Sequence, residues 1–127
     1  MNYSGAIVQD MARLLDLFGP HCSERETLDW LRKAVDDRGK WTKAHGIHSA
    51  IRAKSLKAAR AGNAALEAQY LFEEVCAKTL YNLCGAPTHF DVDSPYWPLP
   101  NAIVFARRIG IAEAEILGCV SLHRSDS

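Results

Sequence analysis

Leu66-Glu67-Ala68-Gln69-Tyr70-Leu71-Phe72-Glu73-Glu74-Val75-Cys76-Ala77-Lys78-Thr79-Leu80-Tyr81-Asn82-Leu83-Cys84-Gly85 is the stretch that decides the fold. At about 100° per residue, Leu66, Tyr70, Phe72, Cys76, Ala77, Leu80 and Leu83 span a wide apolar arc, and Gly85 supplies a stop. A helix apolar over so much of its circumference belongs inside a bundle rather than on its surface. The spacing therefore predicts a central, buried fourth helix.

Upstream, Gly62-Asn63 reads as a turn. Before it, Lys40 to Ala61 are strong helix formers, with Trp41, Ala44, Ile47, Ile51 and Ala58 on one side and Lys43, Lys54, Lys57 and Arg60 mostly on the other, and Gly46 as a weak point. Ile7, Met11, Leu14, Leu15 and Phe18 mark a first helix ending at Gly19-Pro20. Ser23-Glu24-Arg25-Glu26 reads as a capping box for a second helix that carries Leu28, Leu31 and Val35 and ends near Arg38-Gly39.

Downstream, Pro100 suits a first helical position, and Ala102, Ile103, Phe105, Ala106 and Ile109 continue to Gly110. Ile111 to about Leu122 forms a short sixth helix, with a frayed tail over 123–127. No segment alternates as a strand does, and no repeat occurs. The expectation is an all-α, single-domain bundle of five to six helices over 1–127, with a proline- and aromatic-rich loop between helices four and five.

The chain of 127 residues is long enough for a core without staples. Lysine plus arginine and aspartate plus glutamate both total 15, so net charge provides no general attraction for nucleic acid or anionic lipid. Cys22, Cys76, Cys84 and Cys119 show no C-x-x-C pairing and read as reduced thiols of a cytoplasmic protein. The amino terminus lacks a basic segment followed by an apolar run, and no membrane is expected.

Glu73, with Gln69 one turn earlier, falls inside the apolar arc and needs a partner. If helices three and four form a hairpin about Gly62, Arg52 lies opposite Glu73 and His48 about one turn further on. His48, Arg52, Gln69 and Glu73 then form a buried polar network, or alternatively line a small-ligand pocket. His45-x-x-His48 has ligand spacing, but no Glu-x-x-His accompanies it, so neither metal nor cofactor is expected.

Ser49 and Ser55 lack a Gly-x-Ser-x-Gly setting and no cysteine sits in a nucleophile signature, so the chain reads as non-enzymatic. Ala106, Gly110 and Ile116 match helix-turn-helix spacing, but Glu113-Ala114-Glu115 would face phosphates without a cation, and no nucleic-acid partner is expected. Arg52, Lys54, Lys57 and Arg60 on helix three, near Arg32, Lys33, Arg38 and Lys40, form the one cationic cluster. It is a solvated surface or a receiver for an acidic partner surface. Trp30 or Trp41, if exposed, could support a dimer contact.

Phe90-Asp91-Val92-Asp93-Ser94-Pro95-Tyr96-Trp97-Pro98-Leu99-Pro100-Asn101 combines acids, aromatics and three prolines. Phe90 and Trp97 suit a cover for the bundle end, while Asp91, Asp93 and Tyr96 suit a rigid recognition surface.

Ala77-Lys78-Thr79-Leu80-Tyr81-Asn82-Leu83, followed by Phe90-x-x-Asp93-Ser94-Pro95-Tyr96-Trp97-x-x-Pro100-Asn101-Ala102, resembles small helical bacterial proteins of the immunity type, the partners of secreted antibacterial toxins. The resemblance covers the last half of the chain and implies a cytoplasmic protein that binds a cognate protein toxin and occludes its active site. On that expectation the partner-binding surface combines Asp91, Asp93 and Tyr96 with Glu113 and Glu115, acids that would shield a basic cleft. A small-ligand module and a helix-turn-helix regulator are the alternatives.

Overall fold

Six α-helices occur among the described residues: α1 (Tyr3–Phe18), α2 (Glu26–Val35), α3 (Ala44–Arg60), α4 (Ala64–Gly85), α5 (Leu99–Ile109) and α6 (Glu113–Cys119). The structure is a computed structural model that describes residues 3–85 and 97–121, with side chains over 5–84 and 97–121. Among these residues there is no strand, and the chain is an all-α bundle. No described helix is long and apolar enough to cross a membrane.

α4 is the central element and packs against α1, α2, α3 and α5. Phe72, Cys76, Ala77, Leu80 and Leu83 are fully buried along it, as their spacing requires. Phe18 at the end of α1 joins three helices. Its ring lies edge-on to Phe72 of α4 at 5.1 Å between centroids and tilted against Phe105 of α5 at 4.6 Å.

α3 and α4 form the expected hairpin. Asn63 N–H donates to the Ala58 carbonyl at 3.0 Å and Gly62 N–H to that of Ala59 at 3.1 Å, so two carbonyls at the end of α3 are satisfied. This closure places Gly62 at φ +74°, where a side chain would be strained. Asn63 Oδ1 then accepts the Leu66 N–H at 3.1 Å and caps α4.

Three local expectations are corrected. α2 starts at Glu26 with Arg25 before it and no side-chain cap, so the Ser23–Glu26 capping box does not form. Arg25 instead donates to the Gly19 carbonyl at 3.1 Å, tying the start of α2 to the end of α1. The third helix begins as a 3-10 turn over Arg38–Lys43, where Asp37 accepts the Gly39 N–H at 3.1 Å, and becomes α-helical only at Ala44. Trp41 is buried in that turn with its indole N–H donating to the Ala34 carbonyl at 2.8 Å, so it offers no exposed dimer contact, and Trp30 is half-buried against the core.

α5 ends at Gly110, whose φ of +80° lets the Ile111 N–H reach the Ala106 carbonyl at 2.9 Å. Beyond α6, Asp10 of α1 accepts the Ser121 N–H at 3.0 Å and anchors the end of the described chain on α1. Trp97 is fully buried, and its indole N–H finds no acceptor among the described residues. Most of the expected loop, with Phe90, and the 123–127 tail lie outside the described residues.

Candidate functional site

The buried polar centre lies between α2 and α4. Glu73 is fully buried, and its two carboxyl oxygens accept separate hydrogen bonds, one from the Thr27 hydroxyl and one from Gln69 Nε2 at 2.7 Å. The same Gln69 nitrogen donates to the Glu24 carbonyl at 2.7 Å. Burial pushes the Glu73 carboxyl up to about 7, while the bonds from Thr27 and Gln69 and the charge of Lys54 pull the other way. Cys22 nearby is pushed up to about 11 by burial and, secondly, by the charge of Glu73.

Of the expected network, Gln69 and Glu73 are joined, whereas Arg52 is exposed on α3 and Glu73 is bonded elsewhere. Thr27, a residue the hairpin argument could not reach, takes the place assigned to Arg52. His48 belongs to a different carboxylate. Its Nε2 lies 3.2 Å from Glu74 Oε2, off the line an N–H···O bond requires. The alternative of a small-ligand pocket lined by His48, Arg52, Gln69 and Glu73 does not form, because Arg52 is exposed while Gln69 and Glu73 are buried and bonded to each other, and the expected buried network survives only as that pair.

An open cleft of about 300 Å³ lies instead between the first half of α3 and the second half of α4, lined by His45, His48, Lys78, Tyr81 and Asn82. Their spacing explains it: His45 and His48 are one turn apart on α3, as are Lys78, Tyr81 and Asn82 on α4. Beneath them the nearly buried Glu74 is shared, with Lys78 Nζ at 3.4 Å from the same Oε2 that faces His48. The His45 and Tyr81 rings stand 4.9 Å apart at the rim. No group of three or more metal-ligating side chains occurs among the described residues.

Charge on the surface is sorted by sign. Arg38, Lys40, Lys43, Arg52, Lys54, Lys57 and Arg60 lie in a stretch, 38–60, that contains no aspartate or glutamate, leaving eight lysines and arginines against all 15 acids elsewhere. None of the seven is ion-paired among the described residues. Arg38 lies over the Trp41 ring at 4.9 Å. Elsewhere cations are mostly engaged: Arg13 with Asp10, Arg25 with Asp29, Arg32 with Asp16 and Asp36, Lys78 with Glu74 and Arg107 with Glu113. The outward face of α3 also carries Leu56, 51% exposed, among small alanines.

Of the expected partner surface, Glu113 and Glu115 are exposed in the first turn of α6, and Glu113 is 3.2 Å from Arg107 of α5, so this acidic end is locally offset by a cation. Asp91, Asp93 and Tyr96 lie outside the described residues. The acid-free run from Arg38 to Arg60 was the sequence signal for the cationic face, and it points to α3 more directly than the loop does.

No protein-family model, curated protein or solved structure matches this chain.

Proposed function

We propose that this protein acts non-enzymatically by binding another protein, most concretely as a cytoplasmic immunity-type inhibitor that neutralises a cognate bacterial toxin by occluding its active site. The single observation that supports a docking role is the acid-free cationic face of α3, none of whose lysines and arginines is ion-paired among the described residues, whereas α1, α2, α4 and α5 each pair at least one cation. Holding like charges together without counter-charges works against the fold through self-repulsion, and an acidic partner surface would relieve it. Leu56 supplies an apolar anchor within a cationic rim, and the exposed side of α3 has no aromatic ring on which bases could stack except that of His45. An acidic protein surface fits that composition better than a nucleic acid does.

The test is co-expression with the toxin-like product of an adjacent gene, reading growth rescue and a purified complex. Rescue that drops on Arg52→Glu combined with Lys57→Glu, with association slowed about tenfold at low salt, is the expected result. Rescue and binding unaffected by that charge reversal would remove α3 as the docking face. Retention of a short duplex DNA at moderate salt, lost in the same variant, would assign the face to nucleic acid instead.

A further inference from the structure

The cleft between α3 and α4 plays no part in that docking face and has its own chemistry. We propose that it is a binding site for a small organic oxyanion, a carboxylate or phosphate monoester carried on a flat body.

Hydrogen-bonding capacity sets the ligand class. Lys78 contributes an ammonium, His45 and His48 imidazoles, and Tyr81 a hydroxyl, whereas Glu74 is already 3.4 Å from the Lys78 ammonium through the oxygen that faces His48. Asn82 gives one amide hydrogen to the Lys78 carbonyl at 2.8 Å, and the acceptors of the lining are its side-chain oxygen, the Tyr81 oxygen and one ring nitrogen of each imidazole in its neutral form, fewer than the hydrogens that the ammonium, imidazoles, hydroxyl and amide offer. Donors therefore outnumber free acceptors, and an acceptor-rich ligand completes the set.

The Nε2 of His48 is buried against Glu74 Oε2 at 3.2 Å and makes no hydrogen bond among the described residues, so the imidazole, part of the cleft lining, is not fixed through that atom. Glu74 itself would repel an anion, but it is nearly buried and its Oε2 lies 3.4 Å from the Lys78 ammonium, which offsets its charge. The acid-free stretch that supplies His45 and His48 adds no competing carboxylate.

The rim sets the shape. His45 and Tyr81 stand 4.9 Å apart with their planes inclined by 36°, an aromatic wall against which a flat group can lie. A volume of about 300 Å³ is at the lower end of small-molecule sites and suits a single-ring ligand rather than a dinucleotide.

Benzoate and phenyl phosphate are the probes, with benzyl alcohol as the uncharged control, each titrated into the full chain while the His45, His48 and Tyr81 ring resonances are followed by NMR. The expected result is saturable shifts in those rings with at least one of the two anions at millimolar concentration, and affinity about tenfold weaker for benzyl alcohol and in Lys78→Met and Tyr81→Ala. Tyr81 is exposed, so its replacement tests the site without endangering the fold. A response to one anion alone supports the site and identifies the head group. Absence of saturation with both anions, an equal response to benzyl alcohol, or shifts unchanged by both substitutions would each overturn the proposal. None of these outcomes bears on docking through α3, which is read by charge reversal at Arg52 and Lys57.

Discussion

Thr27 of α2 donates its hydroxyl to the Glu73 carboxyl of α4 in the interior of the bundle, 46 residues away in sequence. This bond, with the one from Gln69 to the Glu24 carbonyl just before α2, ties α2 to the central helix. A carboxyl so placed is poised between two tendencies, since burial favours its neutral form and two donors favour its charged form.

Burial prevails, and stability should depend on pH accordingly. A carboxyl that binds its proton more tightly when folded stabilises the native state fully below its ordinary value of 4.5 and loses that contribution as pH rises towards about 7. The loss amounts to roughly 3 kcal/mol between those limits. Urea denaturation at pH 5 and pH 8 should show wild type losing stability relative to Glu73→Gln over that range. Parallel profiles for the two proteins would contradict a proton held at Glu73.

Asp10 is fully buried, with Arg13 at 2.8 Å and the Ser121 N–H at 3.0 Å. Asp10→Ala should cost roughly 2–4 kcal/mol, because it strands a partly buried amide and removes a cross-chain tie. Arg13→Ala, at a half-exposed cation, should cost less than about 1 kcal/mol. Hydrogen exchange at the Ser121 amide should rise sharply in the first variant and little in the second.

The four thiols should separate by reactivity. Cys84 is exposed, whereas Cys22 and Cys76 are buried and burial pushes both thiols up, so neither forms the reactive thiolate readily. Cys119, half-buried and raised by the same cause, falls between them. A thiol-specific reagent in native conditions should label Cys84 first, Cys119 slowly, and the other two only on unfolding, which peptide mapping can read.

Two glycines should respond in opposite directions. Gly46 lies in the first turn of α3 with nothing within 4 Å of an added Cβ, and Gly46→Ala should stabilise by roughly 0.5 kcal/mol. Gly110 is equally open but sits at φ +80°, so Gly110→Ala should cost about 1–2 kcal/mol through backbone strain alone. Melting temperatures of the two variants should move apart around wild type.

The sequence by itself determined the helical architecture. Apolar spacing marked all six helices and made α4 central, and Gly62 and Gly110 marked turns that only a residue tolerant of positive φ can close. Periodicity also put Gln69 and Glu73 inside, because burial depends on position around one helix. Tertiary structure alone decided which groups meet. Equal distance from the Gly62 turn put Arg52 opposite Glu73, yet one residue of error turns a side chain by about 100°. His48 accordingly meets Glu74, Arg52 points to solvent, and the partner of Glu73 comes from α2, whose docking angle no local pattern encodes. The cleft follows from the same rotation: it exists only because His45 and His48 face Lys78 and Tyr81 across the α3–α4 seam, a pairing set by how two helices roll against each other rather than by the propensity of either.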